Sequence, residues 1–71
     1  MTPHQIEVAE ALGRCSFLPG TSQKRFCRDM AHLAQHSPDT ALTEAQDRYL
    51  TIMAYRYRRQ MPARLVPVEK P

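Results

Sequence analysis

Apolar side chains recur at helical spacing in three stretches of this chain, separated by polar, proline-containing connections. The longest stretch covers residues 42–61. It opens with a capping-box pattern, because Thr43 can cap a helix and Gln46 can bond back to its N–H. Pro62 marks the far limit, since proline disfavours a helical residue before it and has no N–H to donate. We predict one long amphipathic helix over residues 42–61.

The two sides of this predicted helix differ in character. One side has the apolar residues of an ordinary core face, and Met53 is expected to fill space there. The other side mixes cations with one aliphatic and one aromatic side chain, which a purely solvated face normally lacks. This second side consists of Arg48, Thr51, Ile52, Tyr55, Arg58 and Arg59.

A shorter helix is predicted at the start of the chain. Thr2 and Gln5 repeat the capping-box pattern, with Pro3 at the first helical position. Gly13 is placed just after the helix end, where a left-handed glycine is favoured. The turn that follows has Gly20 at a position that suits a positive φ, and Phe17 and Leu18 before it are expected to plug the core.

A second helix is predicted from Thr21 or Ser22 to about residue 36. Its core stripe has the spacing i, i+4, i+7, i+8 and consists of Phe26, Met30, Leu33 and Ala34. A flanking stripe with spacing i, i+4, i+8 consists of Lys24, Arg28 and His32. Because like charges at this spacing repel each other, either an acid from another helix or a ligand is expected to neutralise the flanking stripe.

The predicted fold class is all-α, a small three-helix bundle over residues 1–61. Three prolines in residues 62–71 predict a Pro-rich, disordered C-terminal tail. A chain of 71 residues buries only a small core. We therefore expect a monomer or a weak homodimer, with a partner that completes the core as a further option.

Positive charge is unevenly placed along the chain, although the net charge is only +3. Residues 14–28 and residues 56–64 each contain four cations and no acid. Such blocks can face phosphate or an acidic partner. A simpler explanation of the second block is that cations are favoured at a helix C-terminus by the macrodipole.

Several kinds of chemistry have little support in the sequence. Cys15, Cys27, His32 and His36 form a C-x11-C-x4-H-x3-H pattern, but structural zinc sites begin with two closely spaced ligands. There is no Gly-rich phosphate loop, no catalytic triad pattern and no carboxylate pair in an apolar setting. We predict no enzyme activity, no cofactor and no metal site. A Cys15–Cys27 disulfide is sterically conceivable, but reduced thiols are expected in the cytoplasm.

The cytoplasm is the predicted compartment, and no membrane association is expected. No apolar run approaches the roughly 20 residues of a transmembrane helix, and the first residues lack the apolar core of a signal peptide.

Two binding hypotheses remain. The first is a protein-interaction module, because interfaces are enriched in arginine and aromatic residues, and eight of the ten basic residues are arginine. The second is a small nucleic-acid-binding protein that contacts phosphates. Its second and third helices could form a helix-turn-helix, although the connection between them has about six residues and the usual turn has three or four. The residues predicted to bind are Lys24, Arg28, His32, Arg48, Ile52, Tyr55, Arg58 and Arg59.

Ordered pieces of residues 11–61 resemble a pattern in small bacterial and prophage-type proteins of unknown activity. The pieces are Cys15-Ser16-Phe17-Leu18-Pro19-Gly20-Thr21, Lys24-Arg25-Phe26 with Met30, Leu42-Thr43-x-x-Gln46-x-x-Tyr49-Leu50 and Arg56-Tyr57-Arg58-Arg59-Gln60. The resemblance implies a bacterial or mobile-element setting, in which small proteins often bind nucleic acid or another protein. It implies no catalytic or binding residue.

Overall fold

A computed structural model describes residues 1–17 and 20–71 of the chain. Its elements are α1 (Pro3–Gly13), α2 (Ser22–His36), α3 (Glu44–Arg56) and two 3₁₀ turns, Arg58–Gln60 and Ala63–Leu65. No strand occurs within the described ranges. The prediction of an all-α fold with three helices is confirmed.

Both predicted capping boxes are present. The Thr2 hydroxyl accepts from the Gln5 N–H at 3.1 Å, and Gln5 Oε1 accepts from the Thr2 N–H at 2.8 Å. Thr43 and Gln46 form the same pair at 3.1 and 2.9 Å. Gln5 also donates from Nε2 to Asp47 Oδ1 at 2.8 Å. The first turns of α1 and α3 are therefore hydrogen-bonded to each other as well as capped.

The core lies between the three helices, and α1 packs on both of the others. Its buried residues are Val8, Ala9, Ala11, Leu12, Cys27, Met30, Ala34, Leu50, Met53, Ala54, Met61 and Leu65. Phe26 and Tyr49 close the core between α2 and α3 with an edge-to-face contact, their ring centroids 4.6 Å apart. The predicted core faces of α2 and α3 are therefore the ones that pack.

Gly13 has a different role from the predicted one. It is the last residue of α1 rather than the residue after the helix, and its φ is not positive. A Cβ atom built on Gly13 would lie 2.6 Å from the Cβ of Ala31 in α2, closer than two carbons can approach. Glycine is therefore required here by the close contact of two helices. Gly20 does have the predicted positive φ, at 79°. Leu18, which was expected to plug the core, lies outside the described residues.

The predicted end of the long helix at residue 61 is wrong. α3 ends at Arg56, and Tyr57 leaves the helical conformation with φ −102° and ψ 27°. The ring of Tyr57 makes an edge-to-face contact with Phe17 at 4.6 Å. Its hydroxyl donates to Gln23 Oε1 at 2.6 Å. These contacts to distant parts of the chain outweigh the local helical preference on which the prediction relied.

The beginning of the predicted tail takes part in the core. Leu65 is only 3% exposed, and Val66 packs against the buried residues. Arg64 forms an ion pair with Glu7 of α1 at 2.6 Å. The packed unit therefore continues past residue 61, and disorder stays a prediction for the residues beyond Val66.

Candidate interaction surface

The predicted cations lie on the surface of the bundle. Those exposed are Lys24, Arg28 and His32 on α2, Arg48 on α3, and Arg58 and Arg59 in the first 3₁₀ turn. Tyr55 and Ile52 are both half-buried, and Ile52 packs against the core. The structure thus gives Ile52 a share in the fold, which the sequence analysis did not assign to it.

The structure does not bring the α2 cations and the α3 residues into one groove. Arg28 and His32 line a groove of about 410 Å³ between α1 and α2, together with Glu10 of α1 and Arg14, which follows α1 directly. Glu10 forms no ion pair with Arg28 or His32 within the described residues, so neutralisation of the α2 stripe by an acid or by a ligand stays a prediction. A partner of this groove would meet charges of both signs.

A second groove, here called the α3 groove, has a volume of about 380 Å³. It shares no lining residue with the first. Its lining consists of Tyr49, Ile52, Met53, Tyr55, Arg56, Arg58, Lys70 and Pro71. Three of these residues are cations, and none is Asp or Glu. Three of the eight residues predicted to bind, Ile52, Tyr55 and Arg58, therefore line this groove.

Arg58 is oriented by two contacts with Tyr55. Its guanidinium carbon lies 4.5 Å from the centroid of the Tyr55 ring, a cation–π contact. Its Nη1 donates to the Tyr55 carbonyl oxygen at 3.1 Å. An arginine has five N–H donors in a rigid fork, and this bond uses only one of them. Arg58 is thus held in place while most of its donors stay available to a partner.

The two acid-free blocks of sequence meet at one end of the bundle. Gln60 accepts from the Ser16 N–H at 2.7 Å and donates to the Ser16 carbonyl oxygen at 3.1 Å. The contacts of Tyr57 with Phe17 and Gln23 join the same two segments. Sequence reasoning missed this arrangement, because no local pattern indicates that segments about 40 residues apart will be neighbours.

Ion pairing leaves most of the cations without an acidic partner. Within residues 1–17 and 20–71, the salt bridge between Arg64 and Glu7 is the only one. Arg48, Arg58 and Arg59 are not part of it. Their charges are therefore open to solvent and to any anionic partner.

The cysteines and histidines form no reactive centre among the residues that the structure describes. Burial raises the pKa of the Cys27 thiol to about 11, with a smaller contribution from Cys15. Burial also raises the pKa of Cys15, against the opposing charge of Arg14. Both thiols are free and protonated at neutral pH, so neither is an activated nucleophile. The His32 and His36 rings lie 4.3 Å apart, but no group of three potential metal ligands occurs in the described ranges.

No family model, curated protein or solved structure matches this chain. The function therefore has to be argued from the surface described above. In the part of the chain that the structure covers, no helix is long and apolar enough to cross a bilayer.

Proposed function

We propose that the chain is a non-enzymatic protein-interaction module that binds its partner through basic and aromatic helix faces. The observation that supports this is a set of four exposed arginines that form no ion pair within the described residues, Arg48, Arg56, Arg58 and Arg59. Arginine beside aromatic side chains is the composition enriched at protein interfaces. The module acts in the cytoplasm of a bacterial or mobile-element system, as a monomer or a weak homodimer.

Nucleic acid is the second candidate partner. The meeting of residues 14–28 and 56–64 supports it, because the two blocks together bring eight cations to adjoining segments. Such a surface suits phosphate contacts that do not depend on sequence. Gln60 could read base edges by its chemistry, but its amide is already bonded to Ser16.

A salt titration with short DNA and RNA duplexes and single strands separates the two candidates. Binding to phosphates falls steeply as salt rises, because each contact releases counterions. Salt-sensitive oligonucleotide binding that is lost in the double variant Arg14→Glu with Arg25→Glu would assign the function to nucleic acid. Absence of oligonucleotide binding even at low salt would leave the protein partner.

The same experiment includes the double variant Arg48→Glu with Arg59→Glu. We expect it to keep the wild-type circular dichroism and thermal unfolding, because both side chains are exposed. We also expect it to weaken the binding of an anionic partner, because it reverses two exposed positive charges of the basic face. Unfolding of this variant would show that the face is structural and would contradict the proposal.

A further inference from the structure

The α3 groove has an apolar floor and a cationic rim. The floor is made by Tyr49, Ile52 and Tyr55 above the fully buried Met53, and the rim by Arg56, Arg58 and Lys70. Arg56, Arg58 and Lys70 are exposed, and no Asp or Glu lines the groove. Stable protein interfaces commonly combine an apolar centre with charged groups around it.

We infer that the α3 groove binds an acidic peptide segment of a partner protein. An apolar side chain of the peptide lies on the floor, and carboxylates beside it pair with Arg58 and Arg56. This inference rests on the proposed function and specifies its partner and its site.

Arg58 is the residue that makes an acidic partner favourable. A guanidinium binds a carboxylate through two parallel hydrogen bonds, which are stronger than bonds between neutral groups. The stacking on Tyr55 and the bond to its carbonyl already hold Arg58 in place. Less side-chain entropy is therefore lost when the carboxylate binds.

The same contact argues against nucleic acid in this groove. Proteins hold single strands by stacking bases on aromatic faces and by contacting phosphates. One face of the Tyr55 ring is covered by Arg58, and Tyr49 is engaged edge-to-face with Phe26. The apolar floor adds nothing to a phosphate contact, whereas it can bury an aliphatic or aromatic side chain of a peptide.

The test begins with selection of random 12-residue peptides, displayed on phage, against the immobilised full chain. We expect the selected peptides to carry Asp or Glu on either side of a Leu, Ile, Phe or Trp. A synthetic consensus peptide is then measured by fluorescence anisotropy with wild type and variants. Selected peptides with no enrichment in acid would overturn the inference.

Charge reversals at matched positions locate the site. Arg58→Glu should weaken the consensus peptide at least about tenfold, because it replaces an attractive charge pair by a repulsive one. Arg25→Glu makes the same charge change on an exposed residue of α2 that does not line the groove, and should change the affinity less than about twofold. Lys70→Glu, in the exposed last residues of the chain, should weaken binding without any effect on folding.

The remaining outcomes have distinct meanings. If Arg25→Glu weakens the peptide and Arg58→Glu does not, the module binds elsewhere: the groove inference fails while the proposed function stands. If no peptide is selected and no oligonucleotide binds, both fail. A fluorescent dT15 oligonucleotide that displaces the consensus peptide and binds more tightly would assign the groove to nucleic acid and overturn the inference.

Discussion

The side-chain amide of Gln60 pairs with both backbone groups of Ser16, at 2.7 Å to its N–H and 3.1 Å to its carbonyl oxygen. One side chain thereby fixes the segment after α3 to the segment after α1. The pairing satisfies two backbone groups in a connection that has no regular structure of its own.

Gln60→Ala is expected to lower the free energy of unfolding by about 1 kcal/mol, because the net value of an exposed hydrogen bond is small. The sharper measurement is amide hydrogen exchange, in which the Ser16 N–H should exchange faster in the variant. Gln35→Ala, in an exposed position of α2, is the matched control and should leave Ser16 unchanged. Unaltered Ser16 exchange in Gln60→Ala would contradict the role given to this amide.

Gly13→Ala should destabilise the fold even though alanine favours helices. The helical gain is about 1 kcal/mol, but the new Cβ would lie 2.6 Å from the Ala31 Cβ, and overpacking of this kind costs about 1–3 kcal/mol. Urea unfolding measures the difference. Adding Ala31→Gly should relieve the clash, so that the double variant is more stable than the sum of the two single effects predicts. If the changes in the free energy of unfolding simply add, the side chains at positions 13 and 31 do not clash.

Thr43→Ala should lower the free energy of unfolding by about 1 kcal/mol, because the hydroxyl of Thr43 caps the Gln46 N–H of α3. Thr43→Ser keeps a capping oxygen and is the matched control. Thermal unfolding of both variants beside wild type gives the comparison. Equal losses in the two variants would assign the effect to the methyl group instead of the cap.

The burial of the Cys27 thiol makes the free energy of unfolding depend on pH. Its pKa rises from 9.0 to about 11 because burial disfavours the thiolate. Because the folded state favours the protonated form, this stabilisation is fully present below pH 9 and is lost as the pH rises toward 11. The total is of the order of 2 kcal/mol.

The measurement is the melting temperature from pH 8 to pH 11 for wild type and Cys27→Ala. All other side chains are the same in the two proteins, so the difference between the two melting curves reports Cys27. We expect the wild-type curve to fall more steeply above pH 9. Parallel curves would mean that the thiolate is tolerated in the core.

Local sequence signals predicted the helix starts and the end of α2 near residue 36, but they did not predict the end of α3. A capping box involves residues three positions apart, so Thr2 with Gln5 and Thr43 with Gln46 could be recognised from the sequence alone. The end of α3 depends on Tyr57, whose partners Phe17 and Gln23 are more than 30 residues away. A helical wheel of α3 alone contains no information about partners that are distant in sequence.

The candidate surface could be predicted only in part, because local signals do not show which distant segments meet in the fold. The exposure of Arg48 could be predicted from the spacing along α3, because that spacing determines which side faces the core. Arg58 and Arg59 are also exposed, but they lie in the 3₁₀ turn after α3, where the spacing of one helix no longer applies. The α3 groove also needs Lys70 and Pro71, which lie outside α3 and which no local pattern places beside it. The groove that these residues line could therefore be found only in three dimensions.

The burial of Leu65 changes how the chain can be shortened. Leu65 lines the same recess as Val8 and Leu50, so cutting after Met61 would expose apolar side chains on two helices to water. A truncated protein of that kind should self-associate or aggregate, because newly exposed apolar patches on different molecules would bind each other. The chain thus covers the core as far as Val66, and a cut after that residue keeps the core covered but removes Lys70 and Pro71 from the α3 groove.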